Sequence, residues 1–246
     1  MTVEFQRPAE VLPVGGGNEA SRHAWVRAAL QAIPAGRRIL DAGAGTQRYR
    51  EACSHLIYVA HDFGRYDGAG DGSGLQTGEF NYGRLDIVSD ITAIPEPDQA
   101  FDVVLCTEVL EHVPHPEAAL REFARLLKAG GELILTAPFV SFTHFAPYHF
   151  CTGFSRYFHV QQLEALGFEV MELAPNGGFF DFVAQEVRRT RPMAERYAHA
   201  RLTVLERVAE KIFLRALARL RKNDRGSAEF ACFGWHVRAR KRPATP

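Results

Sequence analysis

The sequence predicts an α/β fold: a mostly parallel sheet with helices on both faces. Three observations carry that expectation. Short runs rich in β-formers (RRILDA, HLIYVAHD, FDVVLC, GELILTAP, FEVMELAP and FACFGWHVRARK) recur along the chain. Helical stretches separate most of them, and strands that alternate with helices pair in parallel and bury both faces. The first run opens into a glycine-rich turn, where an open α/β sheet binds ligands. With 246 residues, 46% of them hydrophobic, the chain can build one well-buried domain and carry an insertion.

The segment before Gly17 is rich in Gly and Pro and reads as a flexible or lid-like arm. From Glu19 to Ile33, Trp25, Val26, Ala29, Leu30 and Ile33 recur at helical spacing, and Pro34 and Gly36 stop the helix. Residues 1–36 are therefore read as an arm and lid helix, with His23 and Trp25 able to close over a site or to pack on the sheet; 37–246 form the binding domain. The glycine- and aspartate-dense stretch between Phe63 and Tyr82 reads as a long, exposed, mobile loop. Helices are clearest at Pro116–Lys128 and Val160–Leu166. Ala194–Lys222 has a one-sided apolar pattern and many arginines, and is read as one long amphipathic helix or two shorter ones, inserted at about 190–222. The last strand follows the turn-rich NDRGSAEF, which suits an antiparallel strand at the sheet edge. No internal repeat is visible.

Twenty-nine basic and 29 acidic side chains cancel, so net charge points to neither nucleic acid nor membrane. The charge is uneven, however. Arg188 to Lys222 holds eleven Lys or Arg against three Glu, either a solvated helix face or a surface for an anionic partner. The four cysteines, Cys53, Cys106, Cys151 and Cys232, lie far apart without CxxC pairing, so neither a metal site nor a disulfide framework is expected. The first residues lack a secretory pattern and no apolar run has membrane-spanning length, which leads to the expectation of a cytoplasmic protein.

The chemistry-bearing motif is ILDAGAGTQRYR. Gly43 and Gly45 remove the Cβ atoms that would block a ligand from the backbone, and Asp41 stands at the strand's carboxyl end. About 20 residues on, the second strand ends in Asp62, where a carboxylate can accept two hydrogen bonds from a ribose diol. A dinucleotide site would need a third glycine where Arg48 stands, so nicotinamide and flavin dinucleotides fit poorly. A carboxylate at the first strand's end suits a cationic ligand better than a pyrophosphate.

LDAGAG, together with DIVSDITAIPEPDQAFDVVLCTEVLEHVPHPEAALREFARLLKAGGELILTAPF, resembles the class I S-adenosylmethionine-dependent methyltransferases. Within them it is similar to the ubiquinone-biosynthesis and polysaccharide-associated type, the methyltransferase domain 11 group, over about Arg37 to Glu172. The resemblance implies a Rossmann-like fold with a seven-stranded, mostly parallel sheet and an antiparallel edge strand. It also implies S-adenosylmethionine as cofactor, S-adenosylhomocysteine as product, and roles for particular residues. Asp41, Gly43 and Gly45 would line the methionine half. Asp62 would hold the ribose, with Phe63 beside the adenine. Asp90 and Ile91 would meet the adenine, Asp90 reading its amino group, and Thr107 and Glu108 would lie near the sulfonium. Two positions depart from the family pattern: Gln47, where many members have a third glycine, and LKAGG for LKPGG. Leu110 and Val113 are expected in the core, His112 as a buried histidine supporting the cofactor loop, and Glu111 exposed.

Methyl transfer from a sulfonium is an in-line displacement, so the protein mainly positions the acceptor and, where needed, removes a proton. The segment PFVSFTHFAPYHFCTGFSRYF after the fifth strand is the expected acceptor wall. Tyr148, Arg156 and Tyr157 are its substrate-binding candidates, and His144 and His149 its candidate bases, because histidine titrates near neutral pH. The expected activity is transfer to O or N of a small molecule or of a glycan or lipid-linked acceptor. A non-catalytic cofactor-binding scaffold or sensor is the alternative. No nucleic-acid partner is expected; the basic helix leaves peripheral membrane contact or a homodimer as options.

Overall fold

The computed structural model describes residues 12–243. Its strands are β1 (Arg38–Ala42), β2 (Ile57–Asp62), β3 (Ile87–Val88), β4 (Phe101–Thr107), β5 (Leu127–Pro138), β6 (Phe168–Asn176) and β7 (Gly234–Lys241). They form one seven-stranded sheet in the order β3-β2-β1-β4-β5-β7-β6. β2, β1, β4 and β5 pair in parallel, as does the two-residue β3 with β2. β5 and β7 pair antiparallel, running from Glu132 opposite Arg240 to Pro138 opposite Gly234. The expected α/β sheet is present, with one correction. The antiparallel strand is not at the edge: β7 lies between β5 and β6. Its first four residues, Gly234 to Val237, are buried, and a strand covered in this way needs a neighbour on each side to satisfy its backbone. Arg238 and Arg240 both reach Glu132 on β5, at 2.9 and 3.0 Å, which fixes the register of the inserted strand.

The helices are α1 (Asn18–Gln31), α2 (Pro116–Leu126), α3 (Arg156–Ala165), α4 (Phe179–Tyr197) and α5 (Val204–Lys222). Proline at the start of α2 sits where a missing N–H does no harm, and Ser155 caps α3 through Phe158 N. The described residues form two compact units: Ala24–Leu173 with residues 234–243, and Ala174–Phe233 with residues 12–23.

The first unit holds most of the sheet. Val26, Leu30 and Ile33 from α1 and its exit pack with Ile39, Val103, Leu105 and Ile134. Each such side chain contributes about 1.5–3 kcal/mol when fully buried. Trp25 donates its indole N–H to Glu172 at 2.8 Å and stacks on His236 at 4.8 Å, which holds it on the sheet, the second of the two options read from the sequence. Of the arm before α1, residues 1–11 lie outside the described residues.

The second unit has its own small core, Val14, Ala184 and Leu217, flanked by Phe180, Val183, Val187 and Leu214. The inserted stretch is two helices rather than one, and the first begins at Phe179, earlier than the expected insertion, with Pro192 inside it. α5 opens with a capping box: Thr203 accepts from Glu206 N while the Glu206 carboxylate accepts from Thr203 N. Among the described residues no helix is long and apolar enough to cross a membrane.

Candidate functional site

The strand order reverses between β1 and β4, the point where an open α/β sheet leaves a crevice at its carboxyl ends. The glycine turn closes there. Gly43 N and Ala44 N both donate to His61 O, at 2.9 and 2.8 Å, pinning the turn against the end of β2. Gly43 has φ +80, and a Cβ at that position would lie 2.5 Å from Val109 Cγ2. Gly45 has φ +51, with Phe80 3.3 Å from where its Cβ would be. Backbone conformation therefore favours glycine at both positions, and at Gly43 space demands it as well.

Asp62 is buried and organises the turn: its carboxylate accepts from Gly45 N at 2.9 Å and from Gly64 N at 3.1 Å. Each oxygen keeps a second lone pair, so two further hydrogen bonds can be accepted. Asp41 is 1% exposed. One of its oxygens accepts from the Tyr58 hydroxyl at 2.5 Å; the other, Oδ1, is buried with no hydrogen-bond partner among the described residues. Burial pushes the Asp41 carboxyl up to about 7, against the pull of the Tyr58 hydroxyl. A buried carboxylate oxygen without a donor is what a cationic ligand end would complete. With the glycine cradle and the paired lone pairs of Asp62, this donor set fits the ammonium, backbone approach and ribose of an adenosyl-sulfonium ligand.

Asp90 and Ile91 follow β3. Ser89 N donates to Asp62 O at 3.2 Å, and His61 Nε2 lies 3.1 Å from both Ser89 O and Ser89 Oγ, which ties this loop to the end of β2. Ile91 is buried, whereas the Asp90 carboxylate is exposed. It caps Thr92 N and Oγ1 at 2.8 and 2.7 Å, and these bonds hold it below the usual carboxylate range.

The end of β4 reaches the same place. Thr107 is in register with the fully buried Thr136. Glu108 has φ +53, an unusual backbone for a non-glycine residue, and is held by Glu108 N to Thr136 O at 3.0 Å and Thr136 Oγ1 to Glu108 Oε1 at 2.9 Å. Leu110 and Val113 are core, as expected. Glu111 is not exposed as expected but 1% exposed. The short 3-10 turn Leu110–His112 points it inward, and its carbonyl accepts from Phe150 N and Cys151 N at 2.9 and 3.1 Å.

That turn also delivers His112 into a cluster. Its ring centroid lies 4.7 Å from His144 and 6.1 Å from His149, and His144 and His149 are 5.0 Å apart. His112 Nδ1 bonds Tyr148 O at 2.5 Å, and His144 Nδ1 bonds Phe142 O at 2.8 Å. A carbonyl can only accept, so both rings donate from Nδ1, and Nε2 is the ring nitrogen left to face the site. Burial, with His144 and His149 close by, lowers His112 to about 3; burial lowers His149 as well. Glu111, His112 and His144 each offer a ligand atom, all within 4.8 Å of one another. The cysteine pattern gives no hint of that grouping.

The 63–82 segment is a loop and mostly exposed, as expected, but it is anchored at particular points. Tyr66 is buried, bonding Gly68 O at 3.0 Å and Gln76 Oε1 at 2.7 Å. Leu75 N donates to Thr143 O and Phe145 N to Leu75 O, each at 3.0 Å, as a short bridge beside His144. Phe80 lies over Gly45 and makes an edge contact with Phe145 at 5.7 Å, and Phe145 is 5.1 Å from His112. The loop thus links the glycine turn to the histidines through Phe80 and Phe145. Phe63 stands edge-on to Tyr148 at 4.9 Å, bringing a cofactor candidate to an acceptor candidate. Arg156 and Tyr157 instead begin α3, where the guanidinium stacks over the Tyr157 ring at 5.0 Å and that ring is exposed.

Gln47 resolves the missing third glycine. It adopts φ +57, the conformation a glycine would supply, and its side chain donates to Tyr82 O at 2.6 Å and Arg84 O at 2.8 Å. Two contributors escaped the sequence reading. Tyr58 shares a sheet face with Asp41, and the parallel register Asp41–Ala60 would have placed it there; Phe80 carries no such signal.

The family described as "Methyltransferase domain" matches residues 40–135. The ubiquinone biosynthesis O-methyltransferase of Xanthomonas oryzae pv. oryzae is 38% identical over 109 residues, covering 42% of this chain and 43% of that protein. The chain thus matches less than half the length of that curated relative. The demethylmenaquinone methyltransferase of Renibacterium salmoninarum is 30% identical over 171 residues, covering 67% of this chain and 65% of the relative. Among solved structures, the [4+2]-cyclase SpnF aligns with a TM-score of 0.52 at 22% identity, covering 91% of this chain and 81% of that one, a likeness of fold.

Proposed function

We propose that the chain, whose residues 40–135 match the methyltransferase domain family, uses S-adenosylmethionine to methylate an oxygen or nitrogen of a small-molecule, glycan or lipid-linked acceptor held beside the histidine cluster. The observation that carries the reading is the buried Asp41 oxygen without a donor, at the end of β1 and beside a turn that admits no Cβ at Gly43.

S-adenosylmethionine, when bound, supplies an electrophilic methyl group. Asp41 takes its ammonium and Asp62 its ribose hydroxyls, while Asp90, Ile91 and Phe63 border the adenine. Thr107 and Glu108, on the strained end of β4, face the reacting end. On the acceptor side Phe63, Phe145 and Tyr148 exclude water, and the basic Nε2 of His144 takes the acceptor proton. His149, bonded to Ser141 Oγ at 3.1 Å, is the second candidate base.

The grouping of Glu111, His112 and His144 supports a second reading of the same step, in which a divalent cation held by these three side chains lowers the acceptor's pKa. Fold alone does not choose the reaction, since SpnF is named for a cyclisation.

Calorimetric titration with S-adenosylmethionine and S-adenosylhomocysteine tests the cofactor, and a labelled methyl donor offered with phenolic, sugar and lipid-linked acceptors tests the transfer. Micromolar binding with label transfer is expected. Binding without transfer to any acceptor class favours the scaffold or sensor, and no binding by folded protein overturns the proposal. His144→Ala is expected to cut turnover by about 10²–10⁴-fold with cofactor affinity unchanged. Activity abolished by a chelator and restored by a divalent cation would select the metal-assisted route.

A further inference from the structure

We infer that the outward face of α5 is a docking surface for an anionic lipid bilayer. Among the described residues the helix is packed on one side. Leu214, Leu217 and Ala218 pack into the small core with α4, and Arg191 Nε reaches Glu210 at 2.7 Å. The opposite side carries Leu205, Val208, Ile212 and Phe213, a spacing of i, i+3, i+7 and i+8 that lines up one stripe. All four are exposed, Leu205 by 77% and Ile212 by 59%. A contiguous apolar stripe of this kind, left in water, marks an interaction surface.

The flank of that stripe decides the partner. Arg207, Lys211, Arg215 and Lys222 follow each other at helical spacing along one side, all exposed. No acid of α5 offsets them: Glu206 is engaged by the Thr203 cap and Glu210 by Arg191. The whole chain balances 29 basic against 29 acidic residues, so the stripe is a local concentration of charge. An apolar stripe bordered by a row of cations matches acyl chains bordered by anionic headgroups. A second copy matches less well. An antiparallel pair of these faces would bring the two basic rows to the same side, cation against cation.

The test is co-sedimentation of the full chain with vesicles of phosphatidylcholine alone and of phosphatidylcholine with phosphatidylglycerol. Binding to the second and not the first is expected, with release near 1 M salt, where the screening length falls to about 3 Å. Lys211→Glu with Arg215→Glu should weaken partitioning by at least tenfold, since each cation near such a surface is worth about fivefold. Ile212→Asp should weaken it comparably. Phe213→Trp should shift its emission to the blue on the anionic vesicles only, a readout that needs no loss of binding. Failure of the parent chain to bind the anionic vesicles overturns the proposal. So does binding unchanged by Ile212→Asp, which would mean adsorption by charge alone. A dimer in light scattering that Ile212→Asp dissolves would assign the face to a second copy instead.

Discussion

The two ends of the candidate site are built from opposite materials. At the glycine turn, main-chain N–H groups and two carboxylates do the organising, within the 22 residues from Asp41 to Asp62. At the other end, imidazoles gather from the 3-10 turn after β4 and the segment after β5, with carbonyl oxygens accepting from Nδ1 of His112 and of His144. The first end awaits positive charge: Asp41 is buried, its carboxyl raised to about 7. The second resists it: His112 is lowered to about 3. A cationic methyl donor held between them would meet a carboxylate at its ammonium and a cluster of imidazoles near its methyl group.

The largest expected effect breaks the first end alone. Gly43→Ala places a Cβ 2.5 Å from Val109 Cγ2 at φ +80. Left-handed strain and overpacking together should cost about 2–5 kcal/mol. Denaturant unfolding should show the loss, and cofactor binding should disappear from calorimetry. Binding that survives with parent affinity would mean the turn does not hold the ligand.

Next comes Asp41→Asn, which sharpens the electrostatic contrast. The folded carboxyl titrates near 7 against an ordinary 3.8, so the fold binds an extra proton between those values. Stability from this group is present below about 3.8 and is lost as pH rises toward 7. The asparagine variant should therefore be more stable than the parent at pH 8 without ligand, yet bind S-adenosylmethionine at least tenfold more weakly. Parent affinity should rise as pH increases through about 7, as the carboxylate ionises. A variant that is both less stable and fully able to bind would break the assignment.

The histidine end has the opposite slope. His112 and the fully buried His159 on α3 are lowered to about 3 and about 4 from an ordinary 6.5, by burial above all. Their neutral forms favour the fold, so the stability they support is present above about 6.5 and is lost as pH falls through the folded values. Acid unfolding followed by circular dichroism should be shallower in His159→Leu, because neither ring nitrogen of His159 has a hydrogen-bond partner among the described residues to lose. An unaltered acid limb would remove His159 from the account.

The same contrast explains what was legible. Asp41, Gly43, Gly45 and Asp62 form a local pattern in which strand end, turn and next strand follow in order, so spacing alone brings them together. His112, His144 and His149 span 38 positions and meet only because β4 and β5 are adjacent and in register. Glu111 reads as surface in EVLEHV, since nothing local shows that the 3-10 turn points it inward. The position of β7 depends on how the helical insertion returns the chain, which no strand propensity encodes. The composition of the 63–82 stretch does not show that three of its glycines, Gly68, Gly70 and Gly74, pack closely: a Cβ on Gly70 would fall 1.9 Å from Ala146 O.

The smallest expected effect isolates how a glycine was replaced within the first end. Gln47 keeps a left-handed backbone, φ +57, which costs a non-glycine residue about 1 kcal/mol or more. Its amide donates to Tyr82 O and Arg84 O, each bond contributing about 0.5–1.5 kcal/mol. Gln47→Gly removes strain and bonds together, so stability should change by less than about 1 kcal/mol. Gln47→Ala keeps the strain and loses the bonds, and should cost about 2 kcal/mol. The alanine variant should therefore melt below the glycine variant in matched urea titrations. Equal midpoints would mean that residue 47 is not held left-handed in solution, and that the turn tolerates glutamine for a reason other than the two carbonyls it clasps.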